Sequence, residues 1–389
     1  MSIQRGEFFY PSIDSVVYGK PAGEAVVEQM DRARRQRAFV VSGRSLAGLS
    51  NGPLQRVVER LGARCVGVHT TIRAHTPRED ALEAAAAARQ ADADILVGVG
   101  GGSVIDAVKA MQLCLWLDLR EVDDFERYCT GGAQSRPIEA PADAIRAISV
   151  STTLSAAEFT PMAGVTHSAT RTKQIYRHAL MAPQFVVLDP ASLQDTPARL
   201  LYATAVRSID HAVETYLSPT ANPATEALSL QGLSLLAGAL WRMPHHPDDL
   251  ELGMQAQFGM WQAIAAAAAG VSTGASHGIG YALGTGFSVG HGETSCVMLP
   301  AVVDWISQTD SFGGEALAAA LERPGKPVGA SLRQLINHLG LPTTLRAVGV
   351  ERSAYPDLAV RALTYPSLQA NRRPVTTVTQ VLEILELAS

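Results

Sequence analysis

The sequence predicts a two-part chain, an α/β part built on a parallel sheet followed by an all-helical part. Three observations carry this reading. Short apolar runs alternate with helix-period segments through the first half. A triple glycine, Gly100-Gly101-Gly102, joins one such run to one such helix. Beyond Pro197 the β-type runs nearly vanish and long Ala/Leu-rich segments replace them. The 389 residues suggest two or three domains at roughly 150 residues each. The boundary is placed after residue 192, giving 1–192 and 193–389, with the cleft between them as the expected ligand site.

Taken in order, the runs at residues 38–41, 65–68, 95–99, 147–150 and 185–188 are apolar throughout, as strands covered on both faces require. Helices fill the intervals at 23–34, 53–61, 77–90 and 103–117. Thr196-Pro197 reads as an N-cap followed by proline at the first helical position, opening a helix over 197–216. Helices at 223–241 and 251–269 follow, then several shorter ones to Leu387. No internal repeat or low-complexity tract interrupts the pattern.

A chain that is 47% hydrophobic and 18% charged has the makeup of a soluble globular protein. Its net charge of −5 argues against a general affinity for nucleic acid or anionic membranes. Cys65, Cys114, Cys129 and Cys296 form no CxxC pair, which speaks for a reducing cytoplasm and against a disulfide scaffold or thiolate zinc site. The segment MSIQRGEFFYPS has no signal-peptide core, and the longest apolar stretch, 263–271, is too short to span a bilayer. A cytoplasmic protein without membrane or nucleic-acid partners is expected.

The ten residues GGGSVIDAVK, 100–109, are the most specific signal. A strand, three glycines and a helix start expose backbone N–H groups at the positive end of a helix dipole, where a pyrophosphate would sit. The spacing matches neither GxGxxG nor a Walker loop, since Lys109 is not followed by Ser or Thr. A ligand-free glycine turn is the bland alternative, and three consecutive glycines are costly in chain entropy without a reason.

Three of the ten histidines stand apart; the others fit surface or local roles. His211 follows Arg207 by four residues and precedes Glu214 by three, so these side chains share a helical face. His277 and His291 lie fourteen apart among glycines that permit close approach of backbone or ligand. Helix-end histidines bonded to carbonyls would show the same spacing.

With these motifs the chain resembles the iron-containing (group III) alcohol dehydrogenases, most of all the maleylacetate reductases. SVVYGKPAGE is similar to the family's first hairpin, and GVGGGSVIDAVKA to its pyrophosphate motif. STTLSAAEFTPMAGVT, from Ser151, resembles the cofactor loop in its reductase version, with a Glu-x-Thr-Pro step. HAVETYLSPTANPAT, HGETSCVMLP and the tail NRRPVT are similar to the helix bearing a metal-site histidine, the reductase His-x-x-Thr segment and the NPRP-type segment. The resemblance implies a dehydroquinate synthase-like, group III alcohol dehydrogenase architecture. By this resemblance Gly100, Gly101, Gly102 and Ser103 hold the pyrophosphate. Asp106, Thr152, Thr153 and Lys173 contact ribose or nicotinamide, and His277 and His291 line the catalytic site beside His211.

One departure bears on the chemistry. Metal-dependent members carry an Asp four residues before the histidine matching His211, and here that position is Arg207. A guanidinium cannot ligate a cation and repels one. Asp210 lies about 100° round the helix from His211, which makes it a poor substitute. No metal is therefore expected; were one bound, His211, His277 and His291 would be its ligands. Arg207 would instead stabilise developing oxyanion or bind a substrate carboxylate, with His211, His277, His291 or Tyr281 delivering the proton. The plainer role for Arg207 is a salt bridge to Asp210 or Glu214.

NAD-selective members carry an Asp after the strand at 38–41, where this chain reads Ser42-Gly43-Arg44. Loss of that carboxylate beside an arginine favours NADPH, or use of both NADH and NADPH. The expected activity is NAD(P)H-dependent, metal-independent reduction of a carboxylated ketone or enone such as maleylacetate, by a homodimer. A metal-dependent alcohol dehydrogenase, a cyclase of the same fold, and a non-catalytic nucleotide-binding relative remain the alternatives.

Overall fold

The computed structural model describes residues 5–132, 135–170, 172–308 and 313–389. The chain forms two compact units, Pro11–Thr196 and a second made of Pro197–Ser389 with the N-terminal segment up to Tyr10. Residues 5–10, read above with the α/β part, thus go with the helical unit, where Phe9 N donates to Ala269 O at 3.2 Å.

Among the described residues the α/β unit contains eight strands: β1 (Ser15–Tyr18), β2 (Ala38–Gly43), β3 (Cys65–Ile72), β4 (Ile95–Gly100), β5 (Arg146–Ser151), β6 (Met162–His167), β7 (Thr172–Arg177) and β8 (Phe185–Leu188). Six form a parallel sheet in the order β1-β8-β5-β4-β2-β3. Helices α1 (Ala22–Arg32), α2 (Arg44–Ala47), α3 (Pro53–Leu61), α4 (Arg78–Gln90) and α5 (Gly102–Trp116) connect them. Alternation along the strands feeds two cores. Ala38, Val40, Ile95, Val97 and Val99 pack with α1 and α3 residues such as Met30 and Val57. Phe39, Val41 and Leu96 pack with α4 and α5 residues such as Ala84 and Val108. This is why the strands read as unbroken apolar runs: both faces are buried.

Two expectations need correction. SVVYGKPAGE is no hairpin; β1 pairs parallel with β8, and the chain turns at Gly19 (φ +73°) into α1. A hairpin does occur later, as β6 and β7 pair antiparallel in a separate two-stranded sheet. Thr172, Lys173, Gln174 and Arg177 make β7 mostly polar, which hid it from a search for apolar runs.

The helical unit comprises α6 (Ala198–Leu217), α7 (Pro223–Leu240), α8 (Leu250–Ala268), α9 (Ala275–Phe287), α10 (His291–Ile306), α11 (Gly314–Ala320), α12 (Val328–His338), α13 (Tyr355–Ala362) and α14 (Val378–Leu387). Thr196 does not cap α6, because its hydroxyl donates to Thr152 O at 2.6 Å, inside the α/β unit. Helix α6 is buried nearly all round, so polar residues on it must find partners within the protein. Among the described residues no helix is long and apolar enough to cross a membrane.

Candidate functional site

In the α/β unit, β4 ends at Gly100 and α5 begins at Gly102, with Gly101 as an N-cap that supplies no side-chain hydrogen bond. The first-turn N–H groups therefore have no side-chain cap, which suits a phosphate at the positive end of a 15-residue helix. The glycines also serve the protein itself. A Cβ on Gly101 would lie 2.7 Å from Thr153 Cγ2, and one on Gly102 would lie 3.2 Å from Ser155 Oγ. A valine at either position would strike the 152–155 loop as well as crowd the space in front of α5.

That loop is anchored from below. Lys109, fully buried in α5, donates from Nζ to Ala157 O (2.6 Å), Met162 O (2.7 Å) and Thr160 Oγ1 (3.1 Å). Burial pulls its pKa down to about 8, against the favourable charges of Asp106 and Glu158. Glu158 is buried too and accepts from Ser151 Oγ; burial pushes its pKa up despite that bond and Lys109. Thr152 N donates to Gly100 O, and Thr153 Oγ1 donates to Ser155 Oγ. Asp106 accepts from Gly164 N at 3.1 Å, and Ser103 Oγ accepts from His75 N at 3.1 Å. Lys173, opposite Thr166 in the hairpin, folds its stem over Gly164. At the end of β2 the Ser42 hydroxyl is spent on Val99 O at 2.8 Å, leaving Gly43 and exposed Arg44 as the residues of that turn able to meet a ligand.

In the helical unit, Arg207, Asp210, His211 and Glu214 follow one another at i, i+3, i+4 and i+7 on α6 and so share a face. Asp210, set aside above on its 100° offset, belongs to the cluster after all, because α9 and α10 pack closely enough to reach both flanks of that face. Its Oδ2 accepts from Ser276 Oγ (2.9 Å) and Ser295 Oγ (2.6 Å), and lies 3.6 Å from Arg207 Nη1. Arg207 Nη1 also donates to Ser295 Oγ at 3.0 Å, and its guanidinium stands 5.6 Å from the Tyr281 ring centre. The Arg207–Asp210 bridge is thus present, and it is buried rather than a surface pair.

His277 Nδ1 lies 2.7 Å from Glu214 Oε2 and 3.5 Å from Asp210 Oδ2. Its ring stands 4.9 Å from that of His211 and 6.2 Å from that of Tyr281, and Tyr281 stands 6.3 Å from His291. Burial and Arg207 push the His277 pKa down, yet the two carboxylates outweigh them and raise it. Burial, with His277 and Arg207 nearby, holds His211 well below the ordinary histidine value. Asp210 is held down by His277, Arg207 and Ser295 in spite of its burial. Asp210 Oδ1, His211 Nδ1 and His277 Nε2 are buried without a hydrogen-bond partner among the described residues.

A metal fits this arrangement poorly. Among the described residues the one group with mutually close ligand atoms is Asp210, Glu214 and His277, rather than the three histidines. Asp210 Oδ1 is open, but Asp210 Oδ2 and both Glu214 oxygens already accept from backbone N–H groups, two serines and the His277 ring, and a guanidinium lies beside the group. A divalent ion would have to displace those donors and overcome that repulsion. Ser276 and Ser295 were missed in the sequence, where small polar residues inside α9 and α10 look like packing positions.

Residues 14–190 match the iron-containing alcohol dehydrogenase model, and residues 201–389 match the C-terminal model of the same family. The chain belongs to the iron-containing alcohol dehydrogenase family. Within it, the chain is 32% identical to the dehydrogenase FUM7 of Gibberella moniliformis, over 96% of both chains. It is 30% identical to a maleylacetate reductase of Burkholderia cepacia, over 94% of this chain and 93% of that one. The crystal structure of maleylacetate reductase from Agrobacterium tumefaciens is 25% identical and superposes with a TM-score of 0.83, covering 99% of this chain and 98% of that chain. The family membership makes this an oxidoreductase of the dehydrogenase/reductase kind.

Proposed function

We propose that this chain is an NAD(P)H-dependent reductase that needs no metal and acts on a carboxylated ketone or enone such as maleylacetate, giving 3-oxoadipate. The observation that carries this reading is Arg207, a cation held where a metal-dependent relative would carry a ligand. Relatives named maleylacetate reductase support the substrate class. The uncapped start of α5 fits a dinucleotide pyrophosphate, with Thr152, Thr153 and Lys173 nearby and Gly43 and Arg44 toward the adenosine end. Bound nicotinamide would supply the hydride.

The residues of the chain supply the rest. Reduction of a conjugated carbonyl builds negative charge on oxygen, and a preorganised donor there lowers the barrier. Arg207 is such a donor, and it can also grip a carboxylate. Asp210 and its two serines hold the guanidinium in place. His277, whose pKa Asp210 and Glu214 raise, is the better proton source, while His211 beside it, whose pKa burial lowers, is the better acceptor. Tyr281 and His291 complete the polar wall, and the active form is a homodimer.

The specific observation favouring a second reading, a metal-dependent dehydrogenase, is the Asp210–Glu214–His277 group. One experiment separates the two. The purified protein is expected to contain no stoichiometric iron or zinc by plasma mass spectrometry. It should oxidise NADH or NADPH at 340 nm with maleylacetate in the presence of EDTA. Stoichiometric metal whose removal abolishes turnover would establish the second reading instead.

A further inference from the structure

Helix α9 has no cap of its own, since its N-cap residue is Gly274. Two side chains from elsewhere serve that end. Asn371 Oδ1 accepts from Ala275 N at 3.1 Å, and Asn371 Nδ2 donates to Arg373 O at 2.7 Å. Glu214 accepts from Gly274 N (2.7 Å), Ser276 N (2.6 Å) and His277 N (3.4 Å). Only Glu214 goes further and takes a fourth contact, from the His277 ring at Nδ1 (2.7 Å).

A carboxylate with nothing to donate, set against Nδ1, demands a hydrogen on that nitrogen. The other ring nitrogen, Nε2, is buried and without a partner among the described residues. We propose that Glu214 is a positioning residue: it fixes the hydrogen on Nδ1 of His277, so that Nε2 is the ring atom that exchanges a proton with substrate. A plain helix cap would need the backbone contacts alone. The contact with the ring ties its orientation to the same carboxylate that starts the helix carrying it, as outer partners of functional histidines commonly do. The catalytic half of the proposal rests on the reductase reading above, whereas the assignment of the hydrogen does not.

The test uses the full-length protein labelled with 15N-histidine, with His277→Gln identifying the signal. In the wild type, Nδ1 of His277 is expected to show a protonated, pyrrole-type shift whenever the ring is neutral, and Nε2 the shift of a bare nitrogen. The opposite tautomer would overturn the proposal without any variant being needed. Glu214→Gln keeps an acceptor for the backbone but offers the ring an amide that can donate. It should mix the tautomers and lower kcat on the order of 10- to 100-fold, with the NADH dissociation constant changed less than about twofold. Asn371→Ala, which loosens the same helix end, should lower Tm and leave the His277 nitrogens unchanged. If Asn371→Ala and Glu214→Gln alter Tm and kcat alike while the ring signals stay put, Glu214 is a cap and nothing more. Should the wild type reduce no carboxylated ketone at all, the tautomer result still decides the position of the hydrogen, and only the reductase reading falls.

Discussion

Arg207 is bound to Asp210, and the substrate-binding role proposed for it makes a different demand from that bridge. Its side chain is 12% exposed and that of Asp210 is 0% exposed, so the pair is a buried one. Arg207→Met leaves a carboxylate buried opposite an apolar side chain, which should cost about 3–5 kcal/mol of stability. Arg207→Met/Asp210→Asn should recover much of that loss by denaturant titration. If Arg207 also serves the transition state, both variants should lose on the order of 2–4 kcal/mol in kcat/KM, because removing Asp210 restores no charge to the substrate. Recovery of activity along with stability in the double variant would reduce Arg207 to a structural ion. Gly43 allows a cleaner substitution. A Cβ there would meet Ile72 O at 3.7 Å and Val104 Cγ2 at 3.9 Å, ordinary contact distances. Gly43→Asp should therefore fold normally and weaken NADPH binding more than NADH binding in calorimetry, by repulsion of a 2′-phosphate. At this scale the sequence shows periodic side chains well and cross-helix partners badly. Arg207, His211 and Glu214 were visible through helical spacing. Asp210 was dismissed by an angle that packing on both flanks makes irrelevant, and Ser276 and Ser295 are recognised only once three helices meet.

The same division holds for elements. Strands buried on both faces, β2, β4, β5 and β8, were legible because both faces demand apolar residues. The β6–β7 hairpin was not, since β7 is mostly polar and its partner lies across a turn rather than across a helix. Lys109 was noted in the sequence only for failing a Walker motif, yet it holds the loop behind the glycines. Replacing it with Met should leave Ala157 O and Met162 O to share the single Thr160 hydroxyl, at about 1–3 kcal/mol for the group left unsatisfied. The loss has a pH signature. The Lys109 pKa is about 8 in the folded chain and 10.5 in an unfolded one. Between those values the unfolded chain binds the extra proton, so stability contributed by this site rises with pH there. The wild type should gain on Lys109→Met by up to on the order of 3 kcal/mol between pH 8 and 10.5. A constant gap, measured by urea titration at each pH, would mean that the ammonium is not penalised by burial. Gly101→Ala should displace Thr153 and weaken the same loop, whereas Gly102→Ala asks only for rotation of Ser155.

Across the whole molecule, titrating groups are partitioned between the two compact units, and that gives stability a shape in pH. Lys109 lies in the α/β unit, His211 and His277 in the helical one. His211 has its pKa well below 6.5 when folded, so as pH falls through 6.5 the unfolded chain takes a proton that the native chain refuses, and stability drops. His277 has its pKa above 6.5 when folded, so its contribution is complete below 6.5 and fades as pH rises through the elevated value. The two slopes oppose each other on either side of pH 6.5, and above pH 8 the rise from Lys109 runs against a fall from Cys114 and Cys296, whose thiols burial pushes above their ordinary value. Scanning calorimetry from pH 5 to 10 should show both limbs. His211→Asn should flatten the acid limb alone, because an uncharged side chain has no proton to take up on unfolding. Glu214→Gln should flatten the loss on the neutral side, because without that carboxylate the folded pKa of His277 falls back toward 6.5 and the native chain holds less extra proton. Lys109→Met should lower the alkaline side relative to the wild type and touch neither of the others. If His211→Asn leaves the acid limb unchanged, the limb comes from carboxylates elsewhere, and the neutral state assigned to His211, with its part as proton acceptor, fails with it.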